Sequence, residues 1–335
     1  PDPGVPLTVV QLARFLRNPV KVFFRQRLGV IFDDEAETLP DEESFGLDAL
    51  QEHGLVDALS TALLADMAAL PVAELPRFGR DAALARHLHR IERAGQLPIG
   101  GLGARTRDAL GEALLPMMKA WRTARVAHPC ALQRLPLRFA HAGTVLEDWL
   151  DHRVAADAHA RTPLWLALDP GRLLEGAKKD IVRPYKLLQT WVGCLLAAAC
   201  DAPSAGLLIG RDATLQIAAT DPDTVRATLA TLIEGWQQGL GTPLPVAAKT
   251  ALAFLGERGP GKAPETYEGN ERSAGEGQEA SLARCYPDFE SLSADGRFET
   301  LAHSLYGPLA QWVATHVDAT AHSERAPSGP EEAPR

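Results

Sequence analysis

Four carboxylates carry the spacing in this 335-residue chain that points most directly to bond-breaking chemistry. Glu147, Asp148 and Asp151 lie in VLEDWLDHRV (residues 145–154), and Asp169 follows PLWLAL (163–168). Carboxylates on neighbouring strands can hold Mg²⁺, and a lysine beside them can position or activate the water that attacks a phosphodiester. The lysine is missing where that chemistry needs it. Gly171 stands two positions after Asp169 and cannot supply positive charge, and Pro170 breaks the strand there. Lys178 and Lys179 follow, but where the next helix is expected to begin. The four acids therefore read as solvated strand ends, with catalysis, or metal binding without turnover, as the alternatives.

Other reactive side chains give less. No Ser-His-Asp or Cys-His arrangement can be assigned from spacing. His87 and His89 fall on different helix faces, and His141 and His152 read as ordinary surface or core histidines. Cys130, Cys194, Cys200 and Cys285 contain no CxxC pair, so zinc or iron–sulfur ligation has weak support. Cys194 and Cys200 sit in an apolar helix and read as core. GGLGARTRD (100–108) is a Gly-rich loop before a helix, but GxxxxGK[ST] and a preceding strand are both lacking. No cofactor and no metal is expected.

Cations are the stronger lead. Arg14, Arg17, Lys21 and Arg25 recur every three or four residues, opposite Leu12, Phe15, Leu16, Phe23, Phe24 and Leu28. Lys178, Lys179, Arg183 and Lys186 form a second group ahead of a long apolar helix. Either group can neutralise phosphates, meet an acidic partner or remain a solvated face. Tyr185 and Trp191 lie near the second group, at a spacing that suits packing better than base stacking. The whole chain is acidic, with 34 Lys+Arg against 43 Asp+Glu and a net charge of −9. That excludes a globally basic nucleic-acid binder and makes local charge decisive. Basic residues dominate 1–30, whereas 33–52 holds acids and no Lys or Arg, and reads as a solvated loop.

The elements that must position these groups follow from periodicity. Asn18-Pro19 divides residues 7–32 into two helices. Ala/Leu-rich patterns predict helices over 47–70, 80–94 and 104–126. Strands are expected at 132–142, 145–154 and 163–168, then a helix from about Asp180 to Cys200. Two more strands, 206–210 and 214–219, precede a helix at 222–239 with Asp221 as its N-cap. Residues 256–279, rich in Gly, Pro and charge, read as a long loop with Tyr267 as its one anchor. A helix over 297–317 closes the fold, and 319–335 reads as a disordered tail. The predicted class is α/β: a helical part, 1–127, followed by a mixed-sheet core, 128–318. No leader and no uninterrupted apolar run of about 20 residues is present, so a cytoplasmic protein without membrane spans is expected. The start at Pro1 suggests a piece of a longer polypeptide.

Four collinear blocks carry a family resemblance. LTVVQLARFLRNPVKVFFRQRLGVIF (7–32) resembles the opening of the nuclease-like domains of the bacterial RecBCD and AddAB helicase–nuclease complexes. Active members often have Cys-Pro at the break, and Asn18-Pro19 is closer to the RecC branch. AGQLPIGGLG (94–103), LIEGWQQGLGTPLPV (232–246) and TYEGNERSAGEG (266–277) resemble segments of the C-terminal domain of RecC, the gamma subunit of exodeoxyribonuclease V. The cysteine pattern of the AddB iron–sulfur cluster is missing.

This resemblance implies a degraded PD-(D/E)xK nuclease-like core. That superfamily needs an acid on its second core strand and an acid-x-Lys on its third. The chain offers Glu147, Asp148 or Asp151 for the first and Asp169-Pro170-Gly171 for the second. It further implies a non-catalytic subunit in a heterotrimer with RecB-like and RecD-like partners. Its nucleic acids would be double-stranded DNA ends and forked DNA, in recombinational repair and degradation of linear DNA. Tyr267 would anchor the YEGN loop on a partner. The rival readings are an active Mg-dependent exonuclease and an interaction module without DNA contact.

Overall fold

A computed structural model describes residues 5–32, 49–77, 80–98, 100–157, 162–176, 180–256, 259–271 and 273–322. The chain opens on α1 (Val9–Arg17) and α2 (Pro19–Arg27). Thr8 and Gln11 close a capping box on α1. Asn18 is extended, which ends α1, and its side chain accepts from Lys21 N at 2.9 Å, which starts α2 with Pro19 at its first turn. Three helices follow: α3 (Ala49–Ala68), α4 (Arg80–Arg93) and α5 (Gly101–Ala127).

A run of seven strands follows. They are β1 (Cys130–Ala131), β2 (Leu135–His141), β3 (Thr144–Leu150), β4 (Arg153–Ala155), β5 (Leu164–Leu168), β6 (Leu174–Glu175) and β7 (Ile181–Val182). After α6 (Leu188–Ala199) come β8 (Ala205–Ile209), β9 (Ala213–Ile217) and α7 (Pro222–Gly241). The remainder is α8 (Ala248–Leu255), α9 (Ala263–Glu268), a small hairpin of β10 (Gly269–Asn270) and β11 (Ser273–Ala274), then α10 (Ala280–Cys285), α11 (Phe289–Ser293) and α12 (Arg297–Leu301). A π-helical turn, Ala302–Tyr306, leads into α13 (Gly307–His316) and β12 (Val317–Ala321).

Six strands make one mixed sheet in the order β1-β4-β5-β8-β9-β12. β5 and β8 are parallel, with α6 as their crossover, and the other pairs are antiparallel. The sheet lies between two helical layers. Along β5, Trp165 faces the core built with α1, α6, α7 and the C-terminal helices, while Leu166 faces α3–α5. Val154 and Ile209 share that second side. Packing therefore cuts across the boundary expected at 127/128. α1 and α2 belong to the first layer, where Leu7 bridges to Leu146 of β3, and α3–α5 cover the opposite face.

The structure corrects four expectations. First, the strand expected over 145–154 is broken at His152, which has φ 53, a conformation uncommon for a non-glycine residue. β4 stays in the main sheet, while β3 leaves it and pairs with β2 in a separate two-stranded sheet. Second, α6 begins at Leu188 rather than near Asp180. Pro184 holds Arg183 in extended conformation, and β7 pairs back onto β6. Third, the segment expected to be a loop over 256–279 contains α9, two 3-10 turns and the β10–β11 hairpin. Fourth, the tail expected from 319 still belongs to the sheet there. β12 pairs with β9 from Val317↔Ile217 to Ala321↔Ala213. As an edge strand with both faces in water, it has no apolar alternation to read.

Candidate functional site

The candidate carboxylates are divided between two sheets. Glu147 and Asp148 lie on β3, whereas Asp169 follows β5 in the six-stranded sheet. Glu147 is paired across the hairpin with Arg138. Asp148 accepts from Val9 N at 3.0 Å through Oδ2 and from Trp149 N at 2.8 Å through Oδ1. Both of its oxygens are thus engaged, one of them satisfying an orphan N–H in the first turn of α1. Asp151 is exposed at the bend. Asp169 accepts from Gly171 N at 2.7 Å. Among the described residues no group of three or more His, Cys, Asp or Glu side chains converges to hold a metal ion. Glu147, Asp148 and Asp169 are each engaged by a partner within the chain instead.

The carboxyl ends of β5 and β8 nonetheless gather polar groups. Such ends, beside a parallel crossover, are where open α/β sheets bind ligands. Asp212, in the β8–β9 turn, accepts from Leu173 N at 2.8 Å and Leu174 N at 3.2 Å and so pins the chain that leaves β5. Lys186 reaches back over Gly171. Its Nζ lies 3.1 Å from the point a Cβ of residue 171 would occupy, and Asp169 Oδ1 lies 2.8 Å from the same point. One carboxylate and one ammonium thus border the glycine that stands in place of the expected lysine. Arg183 Nε stands 3.6 Å from Glu175 Oε2. Lys178 and Lys179 lie outside the described residues. Sequence reading missed Lys249, whose Nζ sits 5.2 Å from the centre of the Tyr185 ring beside this group.

The N-terminal stripe is not uniform. Arg14, Arg17 and Arg25 are exposed. Lys21 is partly buried, and its Nζ lies 3.2 Å from Glu279 Oε1. Glu279 also accepts from Asn18 Nδ2 at 2.9 Å, from Ser281 N at 3.1 Å and from Leu282 N at 3.2 Å, which caps α10. Burial pushes the Glu279 carboxyl up, but the Ser281 hydroxyl, the Asn18 amide and the Lys21 ammonium together hold it below its ordinary value. No local pattern links residue 279 to residues 18 and 21, so this hub has no signature in the sequence.

Tyr267 does not present a contact to a partner. It is fully buried, its hydroxyl donates to Tyr286 O at 2.6 Å, and its ring lies against Gly277. Burial raises its phenol above the usual range. The same segment reaches α8, where Glu276 accepts from Thr250 N at 2.8 Å and Thr250 Oγ1 at 2.9 Å. The expected partner anchor is a core residue of this chain, and Gly277 admits its ring.

The remaining reactive side chains are structural. His87 is buried and bonded to Asp66 at 2.9 Å, a bond that holds the Asp66 carboxyl below its usual range. His141 meets Glu234 at 2.7 Å. Burial pushes the Cys194 thiol up to about 12, far from a reactive thiolate. No described helix is long and apolar enough to cross a membrane.

Comparison with known proteins bears on the whole arrangement. A family model described as the RecC C-terminal domain matches residues 5–259. Three of the four resembling blocks fall inside that match, and residues 266–277 lie beyond it. The chain is 25% identical over 252 residues to the protein named "RecBCD enzyme subunit RecC" of Escherichia coli (strain K12). The alignment covers 75% of this chain and 19% of that protein, so the chain spans about a fifth of the length of the curated relative it matches.

Proposed function

The chain belongs to the RecC C-terminal domain family, and from that membership we propose that it is a non-catalytic, nuclease-like domain of a RecC-type subunit. In this reading it scaffolds RecB-like and RecD-like subunits and DNA ends in a RecBCD-type helicase–nuclease. The complex would act in the cytoplasm, in double-strand break repair by recombination and in degradation of linear DNA. The mixed sheet with its α6 crossover would be a degraded PD-(D/E)xK core.

One observation carries the non-catalytic part. Asp148, one of the acids expected to hold a metal, accepts a backbone N–H at each oxygen, and its strand lies in a different sheet from the one that leads to Asp169. Gly171 adds no charge where a lysine is needed. Arg14, Arg17 and Arg25, and in sequence the group Lys178, Lys179, Arg183 and Lys186, are the proposed contacts to DNA or partner subunits. Lys21, held by Glu279, would contribute least.

The experiment incubates the chain with linear duplex and single-stranded DNA in Mg²⁺ or Mn²⁺. No cleavage is expected. Cleavage that disappears with Asp148→Ala or Asp151→Ala would establish instead an active Mg-dependent exonuclease. Co-purification of the full-length subunit with its RecB-like and RecD-like partners tests the scaffold role separately.

A further inference from the structure

We propose that the turn closing α2 is a docking surface for an acidic, apolar-anchored segment of another protein subunit. This rests on the scaffold reading above and specifies one of its contacts. Residues 5–32 contain no Asp or Glu. Among the described residues no carboxylate pairs with Arg25 or Arg27, both of which are exposed. Directly after them stand Leu28, 53% exposed, Val30, 41%, and Ile31, 66%. Single exposed apolar residues are ordinary on a protein surface. Here three of the eight large ones exposed among the described residues fall within four positions.

The turn is built rather than frayed. Gly29 adopts φ 66, which returns the chain so that Leu28 N and Val30 N both donate to Phe24 O, at 3.1 and 3.0 Å. Phe32 then packs edge-on against Phe24, with ring centroids 4.9 Å apart, and Phe24 does the same against Phe23 at 5.6 Å. Leu28, Val30 and Ile31 stay exposed on this turn. A preorganised surface of this kind loses little entropy on binding.

Charge and polarity select the occupant. An apolar centre beside Arg25 and Arg27 is the complement of a segment carrying apolar side chains among Asp and Glu. DNA would satisfy Arg25 and Arg27 but leave Leu28, Val30 and Ile31 facing a polar, hydrated backbone.

The test uses the full-length subunit that contains this domain. One variant carries Leu28→Ser with Ile31→Ser, and the other Arg25→Glu with Arg27→Glu. Affinity for the RecB-like and RecD-like subunits is measured across a salt series, and hydrogen exchange of residues 24–32 is followed in the wild-type complex. The apolar variant is expected to bind at least ten-fold more weakly, through faster dissociation, with unchanged thermal unfolding. The charge variant is expected to bind several-fold more weakly and to lose salt dependence. Wild-type affinity in both variants, with no added protection at 24–32, overturns the docking surface and leaves the scaffold reading standing. Failure of the wild-type subunit to assemble overturns that reading and this one together. Loss of DNA affinity in the charge variant alone assigns the surface to DNA. A dimer of the subunit that the apolar variant converts to monomer assigns it to a second copy. Either result overturns the proposal.

Discussion

The indole of Trp165 lies flat across Gly206, its register partner on the neighbouring parallel strand. A Cβ at residue 206 would fall 1.9 Å from Trp165 Cε2. The one parallel contact of the sheet thus depends on the absence of a side chain. Gly206→Ala is expected to destabilise the chain by about 3 kcal/mol, as overpacking does. Adding Trp165→Leu should recover part of that loss, because the two effects share one space. Urea unfolding of the two single variants and the double variant measures the coupling.

Glu279 makes a pH-dependent contribution. Its carboxyl is held below the ordinary value of about 4.3 in the folded chain. A depressed carboxyl stabilises above the unfolded value, and that contribution is lost as pH falls through the folded one. Glu279→Gln is therefore expected to lower stability by roughly 1–3 kcal/mol near neutral pH, through its engaged hydrogen bonds. The gap between wild type and variant should close on acidification below about pH 4. Denaturant midpoints from neutral to acid pH give the curve. A gap that widens toward acid contradicts the assignment.

Asp148 should behave as a cap and not as a metal ligand. Asp148→Ala removes the acceptor of Val9 N and is expected to lower stability by about 1 kcal/mol. Added Mg²⁺ should leave the melting temperature of wild type and variant equally unmoved. A Mg²⁺-dependent rise in the wild type alone would return this residue to a metal site.

Replacing residues 262–277 by a short Gly-Ser linker is expected to destabilise this chain by itself. The deletion removes Tyr267 from the core and Glu276 from the start of α8. Removing a buried aromatic ring alone costs about 3–5 kcal/mol. A melting temperature equal to wild type would show that the segment contributes nothing to the fold.

Sequence periodicity revealed the order of strands and helices, because Trp165 and Leu166 alternate and the Leu/Phe positions of α1 recur. It did not reveal where the hairpin leaves the sheet, since His152 bends by a backbone angle that no side-chain pattern encodes. Gly and Pro content made residues 256–279 look loose, yet Gly277 is small because the Tyr267 ring occupies the space beside it. The candidate site was legible as an absence, Gly171 in place of a lysine. The approach of Lys186 to that glycine was not, because it depends on Pro184 delaying α6 and on the β6–β7 pairing.

The hydroxyl of Tyr306 donates to Leu16 O across 290 residues of sequence. Ribosomes add about 5–20 residues per second, so during synthesis the first helix waits roughly 15–60 s for that partner. Through this interval the apolar side of α1, including Phe15 and Leu16, has no finished core to enter. The layer that holds the first and last helices is therefore the last to close on the ribosome. α3–α5 and the strands they cover can be complete before it.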